Sequence, residues 1–162
     1  MPTHFSTSLR VVLFFALPLY SSFAGAQTQI SAPETLGSIA TLVELPNGIR
    51  FTTSRGGVEE IVALRKDVLR VRIGKSGTLP EDASWAVLPS IRTQSVVVTP
   101  ANQTDAVGFR TEMLQVAISR NDLRMTVRDA KGNVVQLDAT PVFYEGSAFQ
   151  ISKSMPADEA VS

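Results

Sequence analysis

From residue 39 onward the chain alternates apolar and polar side chains with a period of two over most of its length. Period two is the mark of a strand with one buried face, because successive side chains point to opposite sides of the sheet. "IATLVELPNGIRFTT" reads as strand, turn and strand, with Asn47-Gly48 as the pair favoured in a type I′ hairpin turn. In "VEEIVALRKDVLRVRIG" Glu, Ala, Leu and Arg favour a helix by propensity, but Leu69, Val71 and Ile73 alternate strictly with Arg70 and Arg72. That pattern predicts a strand with guanidinium groups on one face. Leu114, Val116 and Ile118 repeat it, the turn "NDL" (residues 121–123) follows, and Leu123, Met125 and Val127 then alternate with Arg124, Thr126 and Arg128. "AKGN" predicts a turn with Gly132 free to take positive φ, "VVQLDA" continues the meander, and a hairpin is expected around Glu145-Gly146-Ser147.

About ten short strands follow from this reading, with little or no helix. Strands with one apolar face must bury it against a second sheet, so the expected fold is all-β, an antiparallel β-sandwich.

Two segments break the period. At the N-terminus, His4 and Arg10 precede the apolar run "VVLFFALPLY", and Ala24 and Ala26 place small residues where a signal peptidase cuts. Ten apolar residues make a helix of roughly 15 Å, about half the hydrocarbon thickness of a bilayer. Residues 1–26 are therefore expected to be a cleaved signal peptide, with export to the periplasm or the extracellular space. Residues 27–38, rich in Gln, Ser, Thr and Ala, read as an exposed leader. The sandwich is then expected over 39–156. The second break, "GKSGTLPEDASWAVLPS" (residues 74–90), has no period and carries the single tryptophan, Trp85, beside Glu81 and Asp82. Loops of this length in compact domains are often functional.

Composition narrows the chemistry. Removing Arg10 with the signal leaves 14 basic against 15 acidic side chains, from 15 of each in the full chain. A net charge of −1 gives no electrostatic reason to expect nucleic acid or a membrane surface as partner. The chain has no cysteine, and its only histidine is His4 in the signal. A Ser-His-Asp triad, a thiol nucleophile and an ordinary zinc site are excluded from the mature chain, and no glycine-rich phosphate loop is present. No cofactor or metal is expected.

Carboxylates remain. Glu81 and Asp82 could hydrolyse a glycosidic bond only if they flanked it at about 5 to 9 Å. Neighbours on an extended segment point apart, so a solvated turn is the better reading, and Glu59-Glu60 is read the same way. Trp85 could stack on a pyranose or plug the loop onto the sandwich. Tyr144 and Phe149 sit at strand spacing and are expected in the core. Trp85, Glu81 and Asp82 are the candidate sugar contacts, and no catalytic residue is assigned. Asn102-Gln103-Thr104 is a formal glycosylation sequon.

The order of four stretches resembles the N-terminal, galactose mutarotase-like domain of glycoside hydrolase family 31, the family of α-glucosidases and α-xylosidases. They are "VLRVRIGKSGTLPEDASWAV" (68–87), "FRTEMLQVAISRNDLRMTVRDAKGNVV" (109–135), "FYEGSAFQISKSMP" (143–156) and "ADEAVS" (157–162). The resemblance runs from about Ile39 to Ser162. It implies a sandwich that serves as a wall beside a (β/α)₈ barrel, where two aspartates carry out a retaining hydrolysis. None of those catalytic positions has a counterpart here. Residues 157–162 would begin the linker to the barrel, and the chain would be a truncated or fragmentary product, inactive alone. Its partners would be carbohydrate, through the full-length enzyme, and the barrel itself. The alternative is a free-standing secreted carbohydrate-binding or structural sandwich.

Overall fold

A computed structural model describes residues 33–82, 90, 96–145 and 148–155. Thirteen strands run through them, and among the described residues Ser90 alone is helical. The strands are β1 (Glu34–Thr35), β2 (Ile39–Leu45), β3 (Gly48–Thr53), β4 (Val58–Arg65), β5 (Val68–Gly74), β6 (Thr99–Pro100) and β7 (Ala106–Arg110). There follow β8 (Leu114–Ser119), β9 (Met125–Asp129), β10 (Val134–Asp138), β11 (Phe143–Glu145), β12 (Ala148–Gln150) and β13 (Lys153–Ser154). The three beyond the expected ten are matched by β1, β6 and β13, two-residue strands too short to show alternation.

All pairings are antiparallel, in a four-stranded sheet β2-β3-β4-β5, a six-stranded sheet β13-β10-β9-β8-β7-β6 and a small sheet β1-β11-β12. The inward side chains of the two larger sheets form one core. Ile49, Phe51, Ile61 and Ala63 come from one layer, and Val107, Phe109, Val116, Ile118, Met125 and Val127 from the other. Each fully buried Phe or Ile contributes about 1.5–3 kcal/mol, which suits a chain with no disulfide to help. The expected antiparallel β-sandwich is the observed fold.

Local structure departs from the sequence reading in four places. The β2–β3 register pairs Leu45 with Gly48, so the two-residue turn is Pro46-Asn47 and not Asn47-Gly48. Proline fixes φ near −65°, which a type I′ turn cannot accept at its first central position. Gly48 is needed for a different reason: a Cβ there would strike the backbone of Ile61 and Val62 in β4. Of residues 34–36, expected in the exposed leader, Glu34–Thr35 form β1 against β11 and Leu36, next to them, is buried in the core. Phe149, expected inside, is exposed, with its ring 6.0 Å from that of Tyr144.

The fourth departure is the largest. Glu59 and Glu60, read as a solvated turn, lie in β4 and are only 3% and 4% exposed. β4 is buried on both faces from Val58 to Leu64, so no alternation could mark it as a strand. Elsewhere the turn chemistry is as read: Gly132 has φ 91°, and Asp129 Oδ1 accepts the backbone N–H groups of Lys131 and Asn133.

Candidate functional site

Adjacent residues on a strand face opposite ways, and β4 uses this to build two different charged clusters. On its outer face, Glu60 stands in a cross-strand row with Arg50 of β3 and Arg72 of β5. Its Oε2 accepts Arg50 Nε at 3.0 Å and Nη2 at 2.5 Å, while Oε1 accepts Arg72 Nη1 at 3.2 Å. Arg70 Nη2 lies 3.8 Å from the same Oε1. One buried carboxylate thus holds three guanidinium groups, an arrangement that compensates its desolvation and makes its removal costly.

Two of these arginines reach onward. Arg70 Nη1 donates to both oxygens of Asp82 at 2.9 Å, and Arg72 Nη2 donates to the carbonyl of Pro80. The chain leaving β5 is therefore fastened back over the strand it came from. Asp82 is occupied by Arg70, and Glu81 beside it is exposed. Of the three candidate sugar contacts, Asp82 joins the Glu60 cluster and Glu81 does not. Trp85 lies outside the described residues, as do residues 1–32, the hairpin tip Gly146-Ser147 and residues 156–162. Asn102 of the sequon donates through Nδ2 to Glu44 Oε1 at 3.0 Å, so the amide a glycan would need is in use.

On the inner face, Glu59 points into the sandwich, in register with Phe51 and Ile73. Its Oε2 is buried without a partner. Burial, reinforced by the charge of Asp138 and opposed by that of Lys153, pushes its carboxyl up to about 8. Asp138 is buried too, accepting the Met125 N–H at 2.9 Å and the Lys153 ammonium at 2.5 Å. Burial and Glu59 together raise the Tyr144 hydroxyl. The composition of β4, with two acids inside an apolar run, was the only sequence signal for either cluster.

Two concavities border these elements. One, of about 440 Å³, is lined by Glu34, Thr35, Leu36, Arg55, Lys75 and Tyr144. Lys75 Nζ sits 5.2 Å from the centroid of the Tyr144 ring, which covers the aromatic face a pyranose would stack on. The other, about 380 Å³ and mostly apolar, opens between β5 and the β9–β10 pair and includes Leu69, Val71, Met125, Ile151 and Lys153. Among the described residues no group of three or more His, Cys, Asp or Glu could hold a metal ion.

The fold is shared with solved glycoside hydrolases. A family 31 dextranase of Flavobacterium johnsoniae, complexed with isomaltotriose, superposes with a TM-score of 0.68 at 14% identity over 77% of this chain. The cycloalternan-forming enzyme of Listeria monocytogenes, in complex with a pentasaccharide substrate, gives 0.58 at 19% identity over 78% of this chain. The chain spans only 16% and 12% of those two proteins. No curated protein matches it in sequence. A family model does, that of the glycosyl hydrolase 31 N-terminal galactose mutarotase-like domain, over residues 60–162, more than half of the 162 residues. The chain belongs to this family of domains.

Proposed function

We propose that the chain serves as the non-catalytic sandwich of an exported family 31 α-glycosidase, packing beside a (β/α)₈ barrel and helping to shape its substrate cleft. The observation that carries this reading is coverage: most of this chain matches a small part of two carbohydrate-active enzymes. The carboxylates described in detail also suit a structural role. Glu60 and Asp82 are held by arginines, and Glu59 is sealed in the interior. The isomaltotriose bound to the dextranase favours α-glucans as the substrate class of the whole enzyme. The purified chain, incubated with nitrophenyl α-glucoside, nitrophenyl α-xyloside and dextran, should release nothing above background. Turnover that disappears on replacing Glu81 or Asp82 would overturn the proposal.

A second reading, a secreted carbohydrate-binding module, is favoured by the fastening of the loop after β5. Arg70 and Arg72 tie Asp82 and the Pro80 carbonyl back to β5, and preorganisation lowers the cost of binding. Titrating isomaltotriose and xylo-oligosaccharides while following the single tryptophan tests it. A silent titration rejects a site that includes Trp85.

A further inference from the structure

Four segments distant in sequence close on the cavity of about 440 Å³, a volume within the roughly 300–1,000 Å³ of small-molecule sites. Its walls are fastened to one another. Glu34 of β1 and Tyr144 of β11 stand in register, so their side chains share one face of the small sheet. Lys75, directly after β5, contacts both: its Nζ lies 3.6 Å from Glu34 Oε2 and 5.2 Å from the centroid of the Tyr144 ring. Arg55 comes from the turn between β3 and β4, and that turn is bound to residues 35–38. Ser54 Oγ accepts the Ser38 N–H at 3.0 Å, the Ser38 carbonyl accepts the Ser54 N–H at 2.8 Å, and Arg55 Nη1 donates to the Thr35 carbonyl at 3.3 Å. Gly37, with φ 86°, permits this approach, because a Cβ there would strike Ser54 Oγ and press on the stem of Arg55.

The charges around the cavity do not balance. Arg55 and Lys75 bring two cations against the single carboxylate of Glu34, and among the described residues no carboxylate pairs with Arg55. The Glu34–Lys75 contact is long and largely exposed, so a stronger acceptor can take the ammonium from it. We propose that this cavity binds a sugar acid, with the carboxylate between Arg55 and Lys75 and the ring hydroxyls against Glu34 and Tyr144. A guanidinium and a carboxylate form the strong, charge-assisted class of hydrogen bond, which makes the acid group the anchor. Glu34, once parted from Lys75, is an acceptor for a hydroxyl and not for a second anion. A neutral pyranose is disfavoured, because Lys75 covers the aromatic face on which it would stack. Every group of the site belongs to this chain, so its test is independent of any barrel.

Titrating the whole chain with glucuronate, glucose and acetate, followed by NMR of its backbone amides, tests the site. Glucuronate should give saturable shifts at Thr35, Leu36, Arg55 and Lys75, with an affinity about tenfold or more above that of glucose, which lacks the carboxylate. Acetate, which lacks the hydroxyls, should also bind more weakly than glucuronate. Arg55→Gln should weaken glucuronate about tenfold, while Glu34→Gln, which removes the competing carboxylate, should strengthen it. Both side chains are exposed, so neither change threatens the core. Equal affinity for glucose and glucuronate overturns the proposal, as does glucuronate binding that Arg55→Gln leaves unchanged. Acetate binding as tightly as glucuronate rejects a sugar acid as the ligand. Absence of any saturable shift at these four amides in the wild type rejects the site itself, a result that needs no variant.

Discussion

Replacing Glu59 with glutamine should stabilise the protein, by an amount that grows with pH. The folded state holds this carboxyl at about 8 against an ordinary 4.5. Because the folded value is the higher one, the folded state binds more protons than the unfolded state between those limits. Stability must therefore fall as pH rises through that window and level off on either side. The span is 3.5 pK units from 4.5 to 8, or about 5 kcal/mol at 1.36 kcal/mol per unit. At pH 7 about 2.5 of those units have been traversed, so the wild-type protein has lost about 3 kcal/mol. Glutamine keeps the shape and cannot ionise, but buries an amide at a cost of about 1–3 kcal/mol. The net gain should be about 0–2 kcal/mol at pH 7 and about 2–4 kcal/mol above pH 8, with the variant about 1–3 kcal/mol below the wild type under pH 4.5. Urea unfolding of both proteins at a series of pH values measures it, provided the m-values agree. What decides the matter is the shape of the difference. If it is flat from pH 5 to pH 9, the buried-proton argument is wrong.

The remaining predictions use the same readout. Glu60→Gln leaves three guanidinium groups around a neutral amide and should cost about 3–5 kcal/mol. Tryptophan anisotropy should also fall if the loop after β5 loosens with it. Gly48→Ala drives a methyl group into β4 and should cost about 1–3 kcal/mol. Leu123, buried with φ 62°, keeps its strained backbone in Leu123→Ala while losing its packing, so about 3–5 kcal/mol should be lost with nothing regained.

What the sequence disclosed follows from which faces are wet. β8 and β9 alternate because one side of each is more open than the other, and their turns carry Gly132 and Asp122 where the backbone needs them, while β5, half-buried on both faces, alternates because its arginines meet Glu60. β4 has no wet face, so two glutamates in it look like a surface turn when judged by residue type. The missing clue is relational. Arg50, Arg70 and Arg72 fall on the outer face of the two flanking strands, and three cations there require an anion between them. Register makes that visible, and register is what a single sequence leaves open. Likewise Asp138 and Lys153 lie fifteen residues apart and meet only because β13 returns beside β10.

Glu59 and Glu60 are the same side chain at consecutive positions, and the pleat alone separates their fates. Glu60 meets three guanidinium groups, two of which reach on to the loop after β5. Glu59 stands in register with Phe51 and Ile73, and burial pushes its carboxyl up to about 8. The outer cluster is tied by hydrogen bonds from three arginines. The inner cluster depends on a single proton. A rise in pH should therefore act on the inner face of β4 and leave the loop after β5 in place, so any ligand bound by that loop should keep its affinity from about pH 6 to about pH 9. An affinity that fell together with the wild-type stability would mean that the strand transmits between its faces, and the independence of the two clusters would have to be abandoned.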